Sequence, residues 1–253
     1  MINITINTFK EIIRNKFLYL IIFFALIFII FSISLWKLTI WDDNKIILDF
    51  WLAMIELFSF ISVIFVWSQL LFKEIDWKTI FLILSKPIKR YEFILWKFFG
   101  FSLVIFLVVL LQSILYLWVL FFNWISIDYL IIMRLFFIFL KLEILLSIVL
   151  FLSTFMSNML TILVSVIFYF IAHSFSMLID LILRIQNQVL VYFVKFLQIL
   201  FPPFEAINLK DYIWSFRDFS FLYLAWNTLY SFLYLALILC FTILIFNKKN
   251  FEN

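Results

Sequence analysis

The chain has 253 residues, 68% of them hydrophobic, 23% aromatic and only 13% charged. Soluble domains run nearer to about 45–50% apolar and about 25% charged, so a water-soluble globule is excluded. A net charge of +4, one cysteine and one histidine also argue against a nucleic-acid binder, a disulfide scaffold and a metal centre built from several Cys or His side chains.

Residues 2–16 place Ile2, Ile6, Phe9 and Ile13 at helical spacing, with Asn3, Asn7, Lys10, Glu11 and Arg14 opposite. That pattern suits an amphipathic helix in the membrane interface. The same polar residues precede the first apolar run, so no cleavable signal peptide is expected. Apolar runs between polar breaks then predict six spans, near 17–36, 48–72, 96–122, 129–152, 159–182 and 220–246. Each approaches or exceeds the roughly 20 residues that a crossing requires. The expected fold class is an all-α membrane protein, with residues 1–253 forming a single transmembrane domain.

Two connections are longer than turns. Residues 73–91 open with a helical stretch in which Glu74 and Lys78 are spaced i,i+4, and Pro87 stops it. Residues 183–219 hold an amphipathic stretch up to Leu200, then Pro202 and Pro203, then a polar run with Glu205, Lys210, Asp211, Arg217 and Asp218. This second connection is too polar to span and is expected to cap the outer face. With the N-terminus inside, eleven Lys and Arg fall in inside segments and six in outside segments. The positive-inside bias therefore predicts a multi-pass protein with both termini and residues 73–91 in the cytoplasm.

The run from Lys73 to Gly100, KEIDWKTIFLILSKPIKRYEFILWKFFG, resembles the signature of ABC-2 type transporter permeases, the membrane subunits of ATP-driven exporters. The matching elements are Glu74, Lys78, Thr79, Ile80, Leu84, Ser85, Pro87, Arg90, Lys97 and Gly100. The likeness extends to the N-terminal elbow helix, the short connection from Ser153 to Asn158 and the segment PPFEAIN at Pro202 to Asn208. The nearest group is the short single-domain permeases similar to those of nitrous-oxide-reductase maturation systems. The resemblance implies a location in the cell membrane and a likeness to homodimers or pseudo-dimers bound to two copies of an ABC ATP-binding subunit. It also implies a coupling helix in residues 73–91 whose contacts with that partner involve Glu74, Ile75, Asp76, Lys78, Thr79, Ile80 and Leu84. ATP and Mg would be bound by the partner, and no cofactor is expected in this chain. A phosphate-binding loop needs several glycines followed by Lys and Ser or Thr, whereas Gly100 stands alone before Phe101.

One glycine against ten tryptophans is a second anomaly, because average usage would supply about 18 glycines over this length. Trp96 holds the first position of what the family writes as G-K-x-x-G. The pattern reads as UGA codons meant for glycine and translated as tryptophan. An interfacial aromatic belt is the alternative, since Trp36, Trp41, Trp51, Trp124 and Trp214 fall near the outer boundary.

Ionisable residues inside spans are costly and point to function. At about 1.5 Å per residue, Glu56 lies about 12 Å below the outer boundary, Arg134 about 8 Å, Lys141 about 18 Å, Glu143 about 21 Å and His173 about 14 Å. Glu56 is expected to pair with Arg134 or Lys141, as a clamp between spans or as part of a substrate site. Asp180 and Arg184 read as a surface pair, and Cys240 as a small apolar filler.

Three functions remain in view. An exporter subunit would be identified by substrate-stimulated ATPase activity in liposomes. A force-transmitting anchor, driven by the same kind of ATPase without transport, would instead depend on an extracytoplasmic protein. An intramembrane enzyme would need converging acid, base or nucleophile groups, and only Glu56, Glu143 and His173 are candidates. Topology is testable by labelling single cysteines in a Cys240→Ser background. A cysteine at position 88 should be closed to a membrane-impermeant reagent in intact cells, and labelling there from outside would reverse the orientation.

Overall fold

The computed structural model describes residues 5–6, 8–10, 43–76, 89–122, 124, 128–185, 188–202, 204 and 221–248. Among them the chain is helical. The main elements are α1 (Asp43–Asp76), α2 (Arg90–Phe122), α3 (Tyr129–Ser153), α4 (Asn158–Ile185), α5 (Gln188–Leu200) and α6 (Phe221–Lys248). Five of the six stretches expected to span are helical, in α1, α2, α3, α4 and α6. The first, 17–36, lies outside the described residues, as does most of the elbow helix, of which residues 5–6 and 8–10 are helical. Four described helical stretches are long and apolar enough to cross a membrane: Arg90–Phe122, Tyr129–Ser153, Asn158–Phe175 and Leu222–Lys248. That is the architecture of a multi-pass membrane protein.

Helix ends differ from the expected ones where polar residues extend a helix rather than break it. α1 runs past residue 72 through Glu74, Ile75 and Asp76. α2 starts at Arg90, six residues before the apolar run at 96, because Glu92 accepts from the Lys89 N–H at 3.3 Å. An acidic side chain three positions into a helix satisfies an otherwise free backbone donor and complements the helix dipole. The turn between α3 and α4 is tight, as expected. Met156 N–H closes it on Leu152 O at 2.9 Å, and Thr154 Oγ1 donates to Phe151 O at 2.7 Å.

α3 is the central helix, packed by α1, α2, α4 and α6. One cluster of buried side chains joins it to α1, α2 and α6 through Leu52, Ile64, Phe93, Tyr116, Leu145 and Phe246. A second joins it to α4 and α6 through Phe137, Ile144, Ala172 and Leu224, with Phe204 inserted from beyond α5. Several hydroxyls along these helices are satisfied by their own backbone. Ser147 donates to Ile144 O, Ser165 to Thr161 O and Thr242 to Ile238 O, as an apolar medium requires. The outward faces carry Phe99, Phe106 and Trp118 on α2 and Phe232, Leu233 and Phe241 on α6, all exposed. Cys240, read as a small apolar filler, is also exposed: it precedes the exposed Phe241 on α6 and fills no gap in the core.

Residues 5–10 meet α2 near its start, where Thr5 Oγ1 donates to Trp96 O at 3.1 Å. Arg90 Nη1 donates to Asn247 O at 3.1 Å, tying the same end of α2 to the last turn of α6. A Cβ at Gly100 would stand 2.9 Å from Thr8 Cβ and 3.2 Å from Thr5 O, so only glycine allows this approach. Gly100→Val should therefore destabilise the protein by about 1–3 kcal/mol, read as a lower unfolding temperature in detergent. Adding Thr8→Gly should restore part of the loss.

Candidate functional site

Two acidic residues of α1 face two basic residues of α3. Arg134 Nη1 donates to Asp49 Oδ1 at 3.3 Å, and Lys141 Nζ donates to Glu56 Oε1. Both pairs join residues 85 positions apart in sequence. An equal offset at both rungs means that α1 and α3 run parallel in a single register. The rungs are seven residues, or two turns, apart, which separates them by about 10 Å along the helices. Both cations are almost fully buried, while Asp49 and Glu56 keep 21% and 14% exposure.

α4 completes the inner rung. Tyr169 Oη donates to Glu56 Oε1 at 2.8 Å, and His173 Nε2 lies 3.1 Å from the same oxygen. One carboxylate oxygen thus collects Lys141, Tyr169 and His173 from two helices. His173 Nδ1 lies 3.2 Å from Tyr169 O, so each ring nitrogen faces an oxygen. A neutral imidazole has one N–H and satisfies only one of these contacts as a donor; the doubly protonated ring satisfies both.

Aromatic rings close over this polar group. The Phe60 ring packs 4.0 Å from that of Tyr169, and the Tyr169 ring 4.3 Å from the imidazole. Phe204, fully buried, stands 5.9 Å from Tyr169 and 5.4 Å from His173, centroid to centroid. Most of the segment expected to cap the outer face lies outside the described residues; of it, Phe204 packs over this polar group. α5 leads into Phe201, which packs on Phe168 and Phe175 of α4, and Phe204 follows as the plug.

Two other polar features lie away from the rungs. Ser59 Oγ donates to Gln112 Oε1 at 3.0 Å, linking α1 to α2. Glu143 is buried on α3, two residues from Lys141 and so turned about 200° around the helix. It does not join Glu56 and His173, and its Oε1 has no hydrogen-bond partner. Of the family-motif residues, Arg90 holds the end of α6, Lys97 is buried with its ammonium 6.0 Å from the Phe93 ring centre, and Gly100 meets Thr8. Lys78, Thr79, Ile80, Leu84, Ser85 and Pro87 lie outside the described residues, as do Asp180's and Arg184's side chains.

The choice left open by depth, Arg134 or Lys141 for Glu56, is resolved as Lys141. Asp49, Tyr169 and Gln112 were not anticipated. The signal for Asp49 was available: acids at 49 and 56 match bases at 134 and 141 at the same spacing. Among the described residues no cluster of three or more His, Cys, Asp or Glu exists to hold a metal. The arrangement is a charge-neutralising clamp that fastens α1 to α3 and α4. No protein-family model matches the chain, and no curated protein matches it.

Removing one member of a buried pair strands the other and typically costs about 3–5 kcal/mol. Glu56→Gln should therefore lower thermal stability in detergent far more than Asp128→Asn, whose exposed carboxylate makes no cap bond. The charge-swapped double variant Glu56→Lys with Lys141→Glu should recover part of the loss. Equal melting of both single variants would show that the rung carries no stability.

Proposed function

We propose that the chain is the transmembrane permease subunit of an ABC-2 type exporter, powered by a separate ABC ATP-binding subunit and working as a pair of permease copies. The observation that carries this reading is the run from Lys73 to Gly100. Its acidic start, its L-S-x-P-x-x-R centre and its Lys97 and Gly100 end occur in the family's order and spacing.

The fold supports the reading in three ways. The run connects the end of α1 to the start of α2, which is where a coupling element must sit to move two spans together. Its two termini are anchored rather than loose: α1 remains helical through Asp76, and Arg90 is tied to the end of α6. The residues expected in the elbow helix pack on α2 at Gly100. Motion of the partner against residues 73–91 would therefore pass into α1, α2 and α6 rather than be absorbed by a slack loop. α1 would carry it to α3 and α4 through the Glu56 clamp.

In this reading the cytoplasmic side holds both termini and residues 73–91, and the 183–219 segment faces outward. Glu74, Asp76 and Lys78 supply rim contacts to the ATPase, and Ile75, Ile80 and Leu84 its apolar centre. Charge reversal at the rim should weaken association without disturbing insertion. Glu74→Lys and, separately, Ile80→Asp should each reduce co-purification with the ATPase and its stimulation by the permease at least several-fold, at unchanged membrane yield. Unchanged assembly and stimulation in both variants would remove residues 73–91 from the coupling role.

A further inference from the structure

Three of the ten tryptophan positions fit glycine better than tryptophan, each for a different reason. Trp124 is the only non-glycine residue with positive φ among the described residues, at 55°. It follows the end of α2, with its N–H on Phe121 O at 3.2 Å. This is the left-handed position just past a helix terminus that glycine normally fills, because a Cβ is crowded there. The indole returns nothing for that strain, being 96% exposed.

Trp51 is the opposite case. Its ring is only 2% exposed, yet its Nε1 donor has no hydrogen-bond partner, and buried indole N–H groups ordinarily find one. This position also removes Trp51 from an interfacial belt, since a belt residue needs its polar edge at the headgroups. Trp96 lies one turn before Gly100 on α2, and its carbonyl accepts from Thr5. Positions 96 and 100 thus line the same contact with the N-terminal residues, where small-x-x-x-small pairs let helices approach.

We propose that positions 51, 96 and 124 are glycine in the protein as its own cell makes it, encoded by UGA codons that this cell reads as glycine. One reassigned codon accounts for both halves of the composition. The surplus of tryptophan and the shortage of glycine then share one cause, and these three positions raise the glycines from one to four. The local chemistry changes accordingly. Position 124 becomes an ordinary glycine helix terminus, and residues 96–100 become a G-x-x-x-G seam against Thr5 and Thr8.

At position 51 the loss of the indole opens space beside Tyr116, whose ring centre lies 6.3 Å away. Tyr116 Oη and Arg134 Nε are both buried without a hydrogen-bond partner. A cavity with two such donors is polar enough to hold water, so a water there would reach both groups beside the Asp49–Arg134 rung.

The test is peptide mass spectrometry of the full chain purified from the cells that encode it, with the codons of its gene read alongside. Glycine masses and UGA codons at 51, 96 and 124 are expected. Tryptophan masses there, or UGG codons, overturn the proposal. A second measurement uses the recombinant full chain carrying tryptophan. Trp124→Gly should raise its unfolding temperature in detergent and Trp124→Ala should not, since alanine keeps the Cβ that φ of 55° disfavours. Stabilisation by alanine equal to that by glycine overturns the assignment at that position.

Discussion

A carboxylate more than three turns inside an apolar helix must be neutralised by its neighbours, and Glu56 imposes that condition on three helices at once. Charged groups in a low-dielectric interior persist only when paired and hydrogen-bonded. Lys141 answers from α3, and Tyr169 and His173 from α4. Because all three converge on one oxygen, neither α3 nor α4 can slide or rotate relative to α1 without stranding a buried polar group. The parallel register of α1 and α3 follows from the same requirement, repeated two turns away by Asp49 and Arg134.

The rest of the bundle is built around that fixed core by weaker and less directional forces. In a membrane the side chains gain little from leaving lipid, so helices are held by close packing and by polar contacts. The packing is visible on α3, which contacts four other helices, and in the ring contacts between His173 and Phe204. Elsewhere many hydroxyls of Ser and Thr turn back on their own helices, while Ser59 and Thr5 reach across to α2. Directional contacts between helices are therefore few, and the ones that exist determine which faces meet.

That economy bears on how a conformational change would travel. α1 and α2 are joined by the segment from 77 to 89, and α2 is joined to α6 by Arg90 and Asn247. A displacement applied there meets helices whose far contacts are set by the two charged rungs. α3 joins all of these helices, packing on α2 and α6 as well as on α1 and α4, and the Ser59–Gln112 bond ties α1 to α2.

The sequence by itself determined the fold class and most of the helices, because runs of about 20 apolar residues in a chain with 13% charge have few alternatives. It also marked Glu56, Arg134, Lys141 and His173, since any ionisable group inside a span stands out against its neighbours. Tertiary structure alone decided which of them met. Depth along a helix is readable from residue count, but the azimuth toward a partner depends on how helices cross, and that separated Glu143 from the cluster while bringing in Asp49 and Tyr169. A tyrosine among 58 aromatic-rich positions cannot be distinguished by composition; it is singled out only when its hydroxyl lands on a carboxylate. Helix ends behaved similarly, with Glu92 and the last turn of α1 extending helices through residues whose polarity reads as a break. Cys240, apolar by neighbourhood and outward by position, shows the same physical limit: hydropathy in a membrane protein is alike on lipid-facing and buried faces, so only packing tells them apart.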